Sequence, residues 1–193
     1  MKKLLFAAAF AVLGFTANAQ EEQTFGFAKG DLFISGSVTF SNESTGDVKD
    51  NAFEVAPKVG YFLSENIALG AKVGYTTSKI DNGTADANNN AFAVGAFGRY
   101  YFTPASKFSL FGELAADYMS YDNEYPTVVE GDGFGANLGA GLNYFVSSNF
   151  SIEAGVGVLG FNSTKDDGAD DATNTFSVGG DWTNVTFGVN YKF

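Results

Sequence analysis

From Leu32 onward, apolar and polar residues alternate with a period of two in one segment after another. The cleanest row is Phe134, Ala136, Leu138, Ala140, Leu142, Tyr144 and Val146, interleaved with Gly133, Gly135, Asn137, Gly139, Gly141, Asn143 and Phe145. Successive side chains of a strand point to opposite faces, so one face of this segment is wholly apolar and the other mostly Gly and Asn. The same alternation runs through residues 32–40, 53–61, 67–75, 92–102, 108–118, 150–158 and 185–193, which makes eight strands. Short connections near 64–66, 103–106 and 147–149 alternate with long polar ones at about 41–51, 77–90, 120–132 and 162–175. Tight turns at one end and long loops at the other mark an up-and-down meander with two different ends.

An aromatic pair precedes each tight turn: Tyr61-Phe62, Tyr100-Tyr101-Phe102 and Tyr144-Phe145, with Tyr191-Lys192-Phe193 at the chain end. Amphipathic rings at strand ends suit a bilayer interface. A water-soluble barrel also alternates, but its outer rows would be rich in Lys, Glu and Thr. Here the polar rows are mostly Gly, Ala, Ser and Asn, as a narrow, crowded interior requires. The eight strand charges, Glu54, Lys58, Lys72, Arg99, Glu113, Asp117, Glu153 and Lys192, all fall on the polar phase. None faces the apolar side, where a mid-bilayer Lys or Arg would cost ~2 to 4 kcal/mol. The fold expected is therefore all-β, an eight-stranded antiparallel up-and-down transmembrane β-barrel, closed because an open edge in hydrocarbon leaves backbone groups unpaired.

The inward charges balance, and all but Asp117 and Lys192 are expected at similar depth, with Phe97, Tyr101, Phe111 and Phe145 filling the rest of the lumen. Folding about Pro104-Ala105 places Phe97 opposite Glu113 and Arg99 opposite Phe111, so Arg99 and Glu113 are expected to form a diagonal ion pair. Two irregularities stand out. Pro57 cannot donate to a ladder, which predicts a bulge or a missing hydrogen bond. Phe176, Val178 and Trp182 are out of phase with Val185 and Phe187, which predicts a bulge near Thr183 or a break before the last strand.

Composition narrows the chemistry. Only 17% of the 193 residues are charged, against ~25% in soluble domains. The absence of Cys excludes disulfides, and the absence of His removes the commonest general base and metal ligand. A net charge of −11 speaks against nucleic acid. The acids concentrate in the long polar connections, which predicts an acidic crown. Met1-Lys2-Lys3, an apolar stretch from Leu4 to Phe15 and Ala17-Asn18-Ala19 read as a cleaved secretory signal over 1–19, leaving a barrel domain over 20–193.

At this point the chain resembles a known family. The signal, the eight amphipathic strands, the segment Pro57-Lys58-Val59-Gly60-Tyr61-Phe62-Leu63-Ser64-Glu65-Asn66-Ile67-Ala68-Leu69-Gly70 and the ending Phe187-Gly188-Val189-Asn190-Tyr191-Lys192-Phe193 are similar to small outer membrane β-barrel proteins of the OmpA/OmpX-like kind. The resemblance implies a place in the outer membrane of a diderm bacterium, with both termini periplasmic. It also implies contact with outer membrane lipid, and insertion by the barrel-assembly machinery through a C-terminal signal of Phe187, Val189, Tyr191 and Phe193. Because the chain stops at Phe193, the peptidoglycan-binding domain of many OmpA relatives is not expected.

Some barrels of similar architecture are enzymes, including lipid-modifying ones, but their chemistry uses a His that this chain lacks. Glu113 and Asp117 share a face, yet inward acids among inward Lys and Arg read as a self-satisfying interior. The run Asp166-Asp167-Gly168-Ala169-Asp170-Asp171 lacks calcium-loop spacing. The reading is a monomeric, non-enzymatic barrel without cofactor or metal, contributing to envelope integrity or surface interaction. The alternative is a narrow channel, since Gly70, Gly74, Gly95, Gly139, Gly141, Gly155 and Gly157 on the inward phase leave space. A lipid-modifying enzyme comes third.

Overall fold

The computed structural model describes residues 25–45, 48–81, 86–124, 128–179 and 185–193. The signal segment 1–19, Trp182 and Thr183 lie outside the described residues. Nine strand segments form one antiparallel sheet: β1 (Leu32–Thr45), β2 (Val48–Phe62), β3 (Ile67–Asp81), β4 (Asp86–Tyr101), β5 (Phe108–Asn123), β6 (Val129–Phe145), β7 (Phe150–Asp166), β8 (Thr173–Val178) and β9 (Thr186–Lys192). Each pairs with its neighbour in sequence through β7, and β9 closes the ring by pairing with both β7 and β1. This is an eight-stranded barrel whose last position is shared by β8 and β9. The expected break before the final strand is therefore present, with Val178 and Thr186 as its edges.

The apolar rows face outward. Leu32, Ile34, Leu69, Val94, Leu114, Phe134 and Val189 are exposed, while Phe62, Phe97, Arg99 and Phe145 between such positions are buried. That inversion of the usual solvent logic is what a lipid-facing wall requires. Pro57 keeps its register with β1 opposite Gly36, but the β2–β3 ladder skips Ala56 and Pro57 without a shift. The irregularity is thus a missing hydrogen bond, not a bulge. A bulge occurs instead in β7, where Leu138 faces Leu159 but Gly139 faces Gly157. Val158, expected on the outward row, is the extra residue, and beyond it Leu159 and Phe161 carry the outward phase.

The long polar connections are mostly strand. β3 continues to Asp81 and β4 starts at Asp86; β5 runs to Asn123 and β7 to Asp166. Antiparallel pairing does not stop where the hydrocarbon does, and above it water lies on both faces, so the two-phase pattern fades while the ladder persists. Polar side chains hold these extensions together: Asn90 donates to Asp122 (2.9 Å), Asn88 to Glu124 (2.8 Å) and the Tyr121 hydroxyl to Asp166 (2.7 Å). Asn42 donates to Asn51 in the same manner.

Candidate functional site in the barrel lumen

The lumen is occupied in two layers. At the tight-turn end, the segment before β1 folds under the barrel and inserts Phe27. Its ring stacks on Phe62 (centroids 4.7 Å) and meets Phe145 (4.9 Å), Tyr101 (5.2 Å) and Phe33 (5.4 Å). All five rings are buried. The segment is fastened on several sides: Phe27 N–H donates to the Pro104 carbonyl (2.8 Å), Gly30 N–H to Phe62 (2.9 Å), and Lys192 Nζ to the Gly26 carbonyl (2.7 Å). Gly26 has φ +95°, and a Cβ there would lie 2.5 Å from the Ala105 carbonyl carbon, so only glycine fits. The aromatic pairs read as interface residues thus divide: Tyr61, Tyr100 and Tyr144 face out, while Phe62, Tyr101 and Phe145 build the floor.

Above the floor lies an ionic layer. Arg99, with its side chain 1% exposed, donates through Nε (2.9 Å) and Nη2 (2.6 Å) to one Glu113 oxygen, and through Nη1 to Glu153 (2.7 Å) and the Tyr101 hydroxyl (2.9 Å). Lys58 Nζ donates to the other Glu113 oxygen (2.9 Å). Glu153 also accepts from Ser35 (2.8 Å) and Asn190 (3.2 Å). A carboxylate accepts several hydrogen bonds, and a guanidinium offers five N–H groups in a fork, so two acids and two cations can link β1, β2, β4, β5, β7 and β9 across the lumen. The Arg99 guanidinium also lies 4.0 Å from the centroid of Phe111. Lys72 pairs with Asp117 (2.8 Å) beside this group.

Several expectations about these charges need correction. Arg99 and Glu113 do pair, but directly opposite each other and not diagonally; Phe97 faces Ala115, and Phe111 faces Tyr101. The β4–β5 pairing centres on Ser106, not on Pro104-Ala105, because the last opposed residues are Tyr101 and Phe111 and the partner of Arg99 is two residues further along β5. Asp117 pairs with Lys72 beside the network, at the depth it was not expected to share, whereas Glu54 lies higher, opposite Thr39 and Thr76, with no ion-pair partner among the described residues. Counting from the turns misjudges depth because barrel strands are tilted and staggered. Lys192 sits apart at the floor, 3.7 Å from Asp31. The inward glycines expected to leave space are in part filled: a Cβ at Gly70 would meet the Phe97 ring and one at Gly141 the Phe111 ring. Phe27, Phe33 and Asp31 were not singled out from the sequence, and Phe62 was read only as an interface aromatic. Phe33 and Phe62 had a signal in their inward phase, but Phe27 precedes any alternating segment.

Above the ionic layer remains a cavity of about 230 Å³, whose walls include Ser37, Lys58, Lys72, Arg99, Asn137 and Thr186. Among the described residues, no group of three or more His, Cys, Asp or Glu could hold a metal ion. Glu113, Asp117 and Glu153 are each held by cations, so none is a free carboxylate poised against another.

Residues 6–193 match the family described as outer membrane protein beta-barrel domain. Among solved structures, the chain is similar to Neisserial surface protein A, at 16% identity and TM-score 0.55 over 86% of this chain and 100% of that one. It is also similar to the outer membrane protein OprG from Pseudomonas aeruginosa, at 14% identity and TM-score 0.52 over 87% and 98%. At these identities the likeness is one of fold. No curated protein matches by sequence.

Proposed function

Because the chain belongs to the outer membrane β-barrel protein family, we propose that it is a non-enzymatic, non-conducting barrel that presents an acidic rim at the cell surface and contributes to envelope integrity or surface interaction. One observation carries the reading: Phe27 and its four ring partners close the lumen at the tight-turn end, and the Arg99–Glu113–Glu153–Lys58 layer lies across it just above. Eight strands leave an interior only wide enough for side chains, and here side chains occupy it. The lack of His and the cation-held carboxylates support a chain without general acid–base chemistry.

In this reading the tight turns and both chain termini face the periplasm, the chain works as a monomer, and the signal segment 1–19 is removed on export. Phe187, Val189 and Phe193 are exposed on one outward row with Tyr191, the arrangement expected of a segment that the assembly machinery reads before closure. Planar-bilayer recording of refolded protein tests the central point. A sealed barrel gives no steady single-channel steps, and stepwise conductance would instead favour the narrow channel.

A further inference from the structure

Residues 25–31 precede every strand in the chain, yet their partners come from all around the barrel. Phe27 packs on Phe33 of β1, Phe62 of β2, Tyr101 of β4 and Phe145 of β6. A single peptide group carries the widest of these links. Its Gly26 carbonyl accepts from Lys192 Nζ on β9 (2.7 Å), and its Phe27 N–H donates to the carbonyl of Pro104, just after β4 (2.8 Å). Hydrogen bonds at both ends of one peptide polarise it and strengthen each other. Lys192 stands directly opposite Phe33 where β9 meets β1, and its Nζ also lies 3.7 Å from Asp31. Gly30 N–H donates to the Phe62 carbonyl and Phe62 N–H to that of Asp31, which fixes the other end of the segment to β2.

In the ring of eight wall positions, β4 lies halfway round from β9. Four strand spacings in an open sheet would part Pro104 and Lys192 by roughly 19 Å, too far for one peptide group and one lysine side chain to bridge. Only the closed ring brings them to the two sides of the Gly26–Phe27 peptide. Gly26 and Lys192 are also 166 residues apart in sequence, and contacts of such separation form only after the intervening chain has been organised. We infer that residues 25–31 are a latch: the first part of the barrel domain to be described is the last to be placed, seating after β9 has closed on β1 and then holding Lys192 from inside. A contact made after the main folding barrier leaves the folding rate unchanged and slows unfolding. The latch therefore sets how long the closed barrel lasts, not how fast it forms, and this holds whether or not the lumen conducts ions.

The test follows folding and unfolding of the full chain in detergent micelles. Pulse-labelling hydrogen exchange during refolding should show the Phe27 and Gly30 amides gaining protection after the amides of the β1–β9 ladder. Lys192→Met keeps the side-chain stem and removes the donor to Gly26. It should speed unfolding at least tenfold, change the folding rate less than twofold, and loosen native-state exchange in β1 and β9 while leaving β3 and β4 as they were. Protection of Phe27 together with or before the β1–β9 ladder, an unchanged unfolding rate in the folded variant, or a folding rate that falls as far as the unfolding rate rises would each overturn the latch. If Lys192→Met does not fold, the order of protection in the unmodified chain still decides.

Discussion

Arg99 and Glu113 face each other directly across the β4–β5 ladder, and two guanidinium nitrogens converge on one carboxylate oxygen at 2.9 and 2.6 Å. The pair is enclosed by Phe111, Phe97 and Tyr101, and each partner has a second opposite charge, Glu153 for Arg99 and Lys58 for Glu113. Removing one member of such a pair strands the others in a low-dielectric interior. Arg99→Ala should therefore destabilise the barrel by about 3 to 5 kcal/mol. Replacing both Arg99 and Glu113 by apolar residues of similar size should cost less than the two single changes summed. Equilibrium urea unfolding in a double-mutant cycle measures this, and strict additivity would exclude the coupling.

Phe27 is the keystone of the aromatic floor, touching four other buried rings. Phe27→Ala should lower stability by about 3 kcal/mol or more, the usual cost of emptying a well-packed ring site. Because Arg99 and its partners lie above the floor, the variant should remain non-conducting unless Arg99 is removed as well. Bilayer recordings of Phe27→Ala alone, and of Phe27→Ala combined with Arg99→Ala, separate the two barriers.

Gly26 allows the plug to turn beneath the barrel. Its φ of +95° and its closeness to the Pro104–Ala105 backbone both exclude a side chain. Gly26→Ala is expected to cost about 2 kcal/mol or more through strain and backbone contact. The expected local sign is faster hydrogen exchange at the Phe27 amide, which the Pro104 carbonyl accepts in the native fold.

The rim at the loop end carries Asp122, Glu124, Glu130, Asp132, Asp166 and Asp167 on the extended ends of β5, β6 and β7 and the adjoining residues. A field of this sign acts over about 10 Å at ~0.1 M salt and repels polyanions. The protein in detergent should pass through immobilised heparin at low ionic strength without retention. Salt-sensitive retention would contradict a negatively charged rim.

Period-two alternation alone determined which face of each strand meets lipid, the inward placement of Lys58, Lys72, Arg99, Glu113, Asp117 and Glu153, the eight wall positions and the presence of an irregularity before the last strand. Side-chain direction is a local property of the extended chain, so it is legible without knowing the neighbours. Tertiary structure decided what depends on distances across the lumen or between strands. Arg99 and Glu113 are directly opposed because the hairpin between them centres on Ser106 and not on Pro104-Ala105, and Glu54 falls outside the network because tilted strands separate residue count from depth. Strand length exceeded the apolar pattern, since pairing continues in water where both faces are polar. Phe27 left no periodic trace because it acts from a non-strand segment, held by backbone groups of a distant turn.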